Sequence, residues 1–215
     1  MIGIEPVTKV WPFAPGMAVA VAAIICALAL FAMGGSSRVD VPALAILRPI
    51  LILTIAVAMA FSPSWGLREL KLLWLLLGLF ATTMLIQLIP LPPELWLSLP
   101  GREPYRAAAE VAGVAQPWRS LSLTPDLTTN SLLALVPAAA VLLLYGMADE
   151  RQRQLSIFFP IILAIGSSLV GIMQIAMGSD SPFYLYRPTS TDLPDGVFAH
   201  PNHQAVLLAP ALPAL

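Results

Sequence analysis

GMAVAVAAIICALALFAM, Gly16 to Met33, runs without one charged side chain, and its reading decides the fold. As a helix rising 1.5 Å per residue it crosses the roughly 30 Å hydrocarbon core of a bilayer once its flanks are included. The run ends in small residues, Ala32-Met33-Gly34-Gly35-Ser36, as a cleaved signal peptide would. The lead before it is long and carries Glu5, and further apolar runs follow; it therefore reads as a retained first span. Cys26, inside the run, is the chain's single cysteine. With no partner it closes neither an internal disulfide nor a thiolate metal cluster, and it reads as a packing residue.

Working outward, the totals agree. Of 215 residues 58% are hydrophobic and only 11% charged, and the mean hydropathy is +0.84. Soluble domains carry about 25% charged residues, so the chain reads as a membrane protein. A net charge of −1 with no basic tract points away from nucleic acid.

Four further apolar runs, about 41–61, 72–91, 127–147 and 155–177, have spanning length. The expected fold is an all-α, polytopic transmembrane helical bundle with five complete spans and a truncated sixth. Residues 1–178 form its N-terminal transmembrane region, and residues 179–215 a polar loop and the start of the next unit. The last run, Gln204 to Leu215, would reach only about 18 Å as a helix, so the chain reads as ending inside that sixth span. The lead carries Lys9 and Trp11. Arg48 falls in the first turns of the second span. It either snorkels toward the head groups or faces inward to meet a phosphate-bearing lipid. Trp65 and Trp74 are placed as interfacial anchors, and Gln87 is placed for a helix–helix hydrogen bond.

The longest polar insertion covers about 92–124. Within it Tyr105, Ala108, Ala109, Ala112 and Ala115 fall on one helical face, while Glu103, Arg106 and Glu110 keep another face wet. That pattern predicts a short helix on the membrane surface, with Trp96 and Trp118 dipping into the interface. Thr124-Pro125-Asp126 reads as a helix start with a hydroxyl cap, proline at the first position and a carboxylate in the first turn. Pro137 predicts a kink, and Asp149-Glu150-Arg151-Gln152-Arg153 a solvated turn. Gly166-Ser167-Ser168 and Gly171 allow a close helix approach. With a cytoplasmic N-terminus, Lys9, Arg68, Lys71, Arg151 and Arg153 share that compartment. Arg38, Arg48, Arg102, Arg106, Arg119 and Arg187 then lie opposite. Connector charge favours this orientation modestly.

The polar run Tyr184-Leu-Tyr-Arg187-Pro followed by Gly196-Val-Phe198-Ala-His200-Pro-Asn202-His203-Gln-Ala205 carries the chemistry. Pro201 suits the first turn of a helix, so a new helix begins near His200. Its unpaired N–H groups and positive dipole end attract anions, phosphate above all. Arg187 offers a planar bidentate fork for phosphate, and Asn202 and His203 add donors. A structural reading stands beside this one, in which Asn202 and His203 cap the helix at the interface. His200 and His203, three apart without a nearby carboxylate or thiolate, make a poor metal site, so no metal is expected. Asp192 and Asp195, in a Pro/Gly-rich stretch, read as turn formers rather than a carboxylate pair.

Gly196-x-Phe198-x-x-x-Asn202-His203-x-Ala205 resembles the G-x-F-x-N-x-N-H-x-A signature of the O-antigen ligase and polymerase family, with His200 where an Asn is common. The insertion LIPLPPELWLSLPGR, followed by WRSLSLTPD, is more loosely similar to the external loop preceding that family's core domain. The resemblance implies a multi-span glycosyltransferase of the bacterial inner membrane, its long loops periplasmic. It moves a glycan from a polyprenyl diphosphate carrier to a lipid A–core or polysaccharide acceptor, with no cofactor. It also implies that Arg187, Asn202 and His203 serve the diphosphate side, with His200 a further candidate there. The family's catalytic His lies in a later external loop, so these residues alone are expected to be inactive. Two other classes fit the same runs: a transporter or flippase for lipid-linked glycans, and a structural membrane subunit without a site.

Overall fold

The computed structural model describes residues 15–36, 38, 40–61, 69–178, 180–186 and 193–211. The described residues are mostly helical: α1 Pro15–Met33, α2 Ala43–Phe61, α3 Lys71–Leu88, α4 Pro93–Leu97, α5 Glu103–Ala112, α6 Pro125–Leu133, α7 Leu135–Met147, α8 Glu150–Ser156, α9 Phe158–Met177 and α10 Pro201–Ala211. Five stretches are long and apolar enough to cross a membrane: Gly16–Met33, Ala43–Ala60, Lys71–Leu88, Pro125–Met147 and Glu150–Met177. They match the five apolar runs of the sequence to within a few residues.

Two stretches expected as single helices are each broken once, for one reason. A proline has no N–H for the carbonyl four residues back and its ring crowds that carbonyl. Pro137 acts so on Leu133, and the chain breaks at Ala134 between α6 and α7. Pro160 acts so on Ser156, and the break falls at Ile157 between α8 and α9.

A seam of small and branched side chains joins α1, α2 and α7. Val19, Ala22, Cys26 and Ala29 of α1 meet Leu44, Leu47, Leu51 and Ala58 of α2, and Ala140, Leu143, Leu144 and Met147 of α7. Spacings of three and four keep each set on one helix face. The alanines and Cys26 let the backbones approach closely. Trp74 packs against this seam, half-buried, and is not a free interfacial anchor. The rest of α3 lies outermost, with no buried residue, against α6 and α7.

At the Gly16 end of the bundle the charged connector is helical rather than a turn. Asp149 accepts from the backbone N–H of Gln152 (2.8 Å), and the Gln152 side chain accepts from the Asp149 N–H (3.1 Å). This capping box starts α8 one residue later. Gln152 Nε2 donates to the Gly16 carbonyl (2.8 Å), and Arg153 pairs with Glu69, so the starts of α1 and α3 meet the α7–α8 connector here.

At the other end the 92–124 insertion folds into a small subdomain. Pro90–Leu91 (β1) pairs antiparallel with Arg119–Ser120 (β2), in the register Pro90 with Ser120 and Leu91 with Arg119. A strand pair this short leaves no periodicity in the sequence, and the all-α expectation is amended by it. The expected surface helix exists as α5, where only Tyr105 and Ala109 of the predicted face are half-buried and Ala108 and Ala112 are exposed. Trp96 does not dip into an interface. It is 2% exposed, donates Nε1–H to the Ser120 carbonyl (2.8 Å) and meets Tyr105 edge-on at 5.3 Å. Trp118 is exposed. Thr124 stands at the N-cap of α6, but its hydroxyl makes no capping bond; its N–H donates to Ser122 Oγ (3.1 Å).

Candidate functional site

The signature residues sit on a second seam, built from polar groups. On α9, Ala164, Ser167, Gly171 and Gln174 are buried at spacings of three and four, and they face the loop leading into α10. Gln174 Nε2 donates to the Phe183 and Gly196 carbonyls (3.0 and 2.9 Å), and Oε1 accepts from the Gly196 N–H (2.9 Å). Ser167 Oγ accepts from the Val197 N–H (3.0 Å) and donates to Gln204 Oε1 of α10. Gly196 has φ +61°, and a Cβ there would overlap Ser167 Oγ and Gln204 Oε1, so both the backbone conformation and the space require glycine. The glycine of the signature is thus explained by packing. Gly35 plays a matching part on the α1–α2 connector: its carbonyl accepts from the Ala199 N–H (2.9 Å), and a side chain would run into the Val197 carbonyl and the Tyr186 ring.

Held this way, the loop closes one wall of a cavity of about 250 Å³ at this end of the bundle. Phe198 and His203 form that wall; the end of α1, Leu44, Leu47 and Arg48 of α2, and Leu133, Ala134 and Pro137 at the α6–α7 break form the rest. Arg48 faces inward and does not snorkel. It is half-buried and its Nη2 donates to Asn130 Oδ1 (2.5 Å) and toward the Asn130 carbonyl (3.4 Å). Among the described residues the ion pairs are Arg38–Asp40 and Arg153–Glu69, so the Arg48 charge meets a neutral amide and no carboxylate. A guanidinium and an imidazole on one small, mainly apolar cavity can receive an anion, because a low-dielectric wall strengthens the attraction.

The predicted residues fare unevenly. α10 begins at Pro201, as the proline implied. The residue that caps it is His200: its Nδ1 accepts from the Asn202 N–H (3.1 Å) and its carbonyl from the His203 N–H (3.1 Å). The backbone N–H groups of Asn202 and His203 are thus used within the first turn, and the capping side chain is that of His200 rather than of Asn202 or His203. The bond also leaves the proton of neutral His200 on Nε2. His200 and His203 stand edge-to-face with ring centroids 6.1 Å apart, and His203 lies 6.3 Å from the Phe198 ring. Asn202 and Ala205 are exposed. Arg187 and Asp192 lie outside the described residues, so the fork expected from Arg187 does too.

Asp195 does more than form a turn. Its carbonyl accepts from the Phe198 N–H (3.1 Å), which closes the turn through the backbone. Its side chain is 1% exposed and neither carboxylate oxygen has a hydrogen-bond partner among the described residues. Burial raises its pKa above the ordinary carboxylate value, and a positive charge on the nearby His200 would offset part of that rise. Sequence reasoning missed Gln174 and Gln204 altogether and took Ser167 for a small packing residue. An amide or hydroxyl every three or four positions along an apolar run was the available signal.

In comparisons with known proteins no family model, no curated protein and no solved structure matches this chain.

Proposed function

We propose that the chain belongs to a membrane glycosyltransferase of the O-antigen ligase and polymerase kind, in the bacterial inner membrane. Its five long apolar helices are spans and its His203 end faces the periplasm. The cavity between Arg48 and His203 takes the diphosphate of a polyprenyl-linked glycan on its way to a lipid A–core or polysaccharide acceptor. One observation carries this reading: an arginine from α2 with no carboxylate partner among the described residues and a histidine of the Gly196–Ala205 signature share one cavity. A departing diphosphate gains most from preorganised cationic donors in a water-poor site. Arg48 joins Arg187, Asn202, His200 and His203 as a diphosphate ligand in this reading, because it lies on the cavity wall with His203. Connector charge supports the sidedness only modestly: Lys71, Arg151 and Arg153 lie on short connectors at the Gly16 end, while Arg102, Arg106 and Arg119 lie on the longer insertion at the other.

A second reading, a structural membrane subunit, is favoured by the glycine clamp, since Gln174, Ser167 and Gln204 explain Gly196 without any substrate. One experiment separates the two. In cells making the polysaccharide, Arg48→Lys in the full-length protein keeps the charge but loses the fork, and polymer transfer is read on gels with the protein level checked. Transfer should fall at least tenfold at unchanged protein level, about the 1.4 kcal/mol worth of a charge-assisted bond. Unchanged transfer sinks the diphosphate site and leaves the structural subunit.

A further inference from the structure

The subdomain from Ile89 to Thr124 holds a cationic cluster that the diphosphate cavity does not use. Arg102 stacks on Trp96 at 4.5 Å from the ring centroid, and Arg119 stands 5.4 Å from the same ring and 5.7 Å from that of Tyr105. Arg102 is 7% exposed, with Nη2 donating to the Leu121 carbonyl (2.7 Å) and Nε buried without a partner among the described residues. Arg119 is half-buried, its Nε is likewise unpartnered, and among the described residues neither arginine is ion-paired. Glu94, Glu103 and Glu110 share the subdomain, yet among the described residues none of them is ion-paired with either guanidinium. Two like charges around one ring are held by the ring quadrupole and a carbonyl, and an anion would relieve them further.

Position says which anion. The Leu121 N–H donates to the Ile89 carbonyl (3.2 Å) and the Ser122 N–H to the Gln87 carbonyl (2.8 Å), which ties the strand pair to the last turn of α3. Six residues after Arg119 the chain enters α6 at Pro125. If α3 and α6–α7 span a bilayer, the cluster lies at head-group depth. Large apolar side chains stand exposed on the same subdomain, Val111 at 91%, Trp118 at 65% and Val114 at 60%, beside the exposed charges of Glu103, Arg106 and Glu110. Tryptophan beside arginine at that depth suits an interface carrying phosphates.

We propose that this subdomain seats on the head-group layer and that Arg119, backed by Arg102 and Trp96, binds the phosphate of an anionic phospholipid. Trp118 and Val114 rest among the glycerol and upper acyl carbons. Arg102 positions Arg119 and does not itself touch the lipid, since its exposed area is too small. The inference rests on the spanning reading of the helices and is independent of glycosyl transfer.

The test uses the full chain in nanodiscs of phosphatidylcholine, with or without phosphatidylglycerol, reading the melting temperature and, by native mass spectrometry, the anionic lipids retained. The wild type should melt higher with phosphatidylglycerol, and Arg119→Gln should lose that gain and retain fewer anionic lipids while melting like the wild type in phosphatidylcholine. An undiminished gain in Arg119→Gln overturns the proposal. So does an equal fall in both lipids, which would make the arginine structural only. Inorganic phosphate that reproduces the gain in pure phosphatidylcholine overturns the lipid as ligand. Should Arg119→Gln not fold, Arg119→Lys decides: a smaller gain with unchanged melting in phosphatidylcholine supports the guanidinium, and an unchanged gain overturns it. Failure of the chain to enter nanodiscs would overturn the proposal by way of its spanning premise, leaving the Arg48 cavity to its own test.

Discussion

The two seams of this bundle share a spacing and differ in what fills it. Along α1, α2 and α7 the buried positions three and four apart are Val, Ala, Cys, Leu and Met, and they meet one another. Along α9 the same spacing presents Ala164, Ser167, Gly171 and Gln174, and two of these meet backbone groups of a loop. The first seam needs volume and nothing else, so many apolar sets would serve. The second needs specific atoms, because the Gly196 and Val197 N–H groups and the Phe183 and Gly196 carbonyls lose water when the loop packs and must be paired. A uniform apolar spacing thus tells where helices touch, whereas interspersed amides and hydroxyls tell where irregular backbone is held at a helix face.

The largest expected effect is on the polar seam. Gln174→Leu keeps the size and strips three hydrogen bonds, leaving buried backbone groups unpaired at roughly 1–3 kcal/mol each, so unfolding in mixed micelles should show a loss of about 3–5 kcal/mol. A loss below about 1 kcal/mol would mean water pairs these groups. Leu51→Ala, at a fully buried position of the apolar seam, should cost about 2–4 kcal/mol through the cavity it leaves. Leu51→Met should cost less than about 1.5 kcal/mol; an equal cost for both would erase the contrast between volume and atoms. Gly196→Ala forces a left-handed residue against Ser167 and Gln204, for about 2–3 kcal/mol. Pairing it with Ser167→Ala should relieve part of the clash, and strict additivity of the two would place the alanine elsewhere.

The smallest effect is a pH dependence. Asp195 has its pKa raised in the folded state by burial, so the folded loop favours the neutral acid. Its contribution is fully present below the ordinary carboxylate value near 3.9 and is lost as pH rises through the raised folded value. Asp195→Asn should therefore match the wild type in acid, melt higher at neutral pH, and flatten the pH profile of thermal unfolding. A wild-type profile kept by the Asn variant would assign the slope to another group.

Much of the helical layout was legible because a long apolar run has few alternatives: in lipid the backbone must bond to itself. Pro137 announced the break at Ala134 through its missing N–H, and Pro160 carried the same signal unread. Pro201 likewise announced the start of α10. The strand pair, the burial of Trp96 and the capping role of His200 were not legible. Each depends on a partner across a fold: Ser120 for Trp96, Arg119 and Ser120 for the strand, and the rotamer that turns His200 Nδ1 onto the Asn202 N–H.

By itself the sequence determined that helices of spanning length form and that a polar loop precedes the last one; a proline alone did not fix a break, since Pro49 sits inside an unbroken α2. Periodicity, chain length and missing N–H groups are local properties and act before any packing. Which residues share the cavity was decided only in three dimensions. Arg48 reaches Asn130 and meets His203 there because α2, the α6–α7 break and the signature loop converge, and no spacing along the chain encodes that convergence.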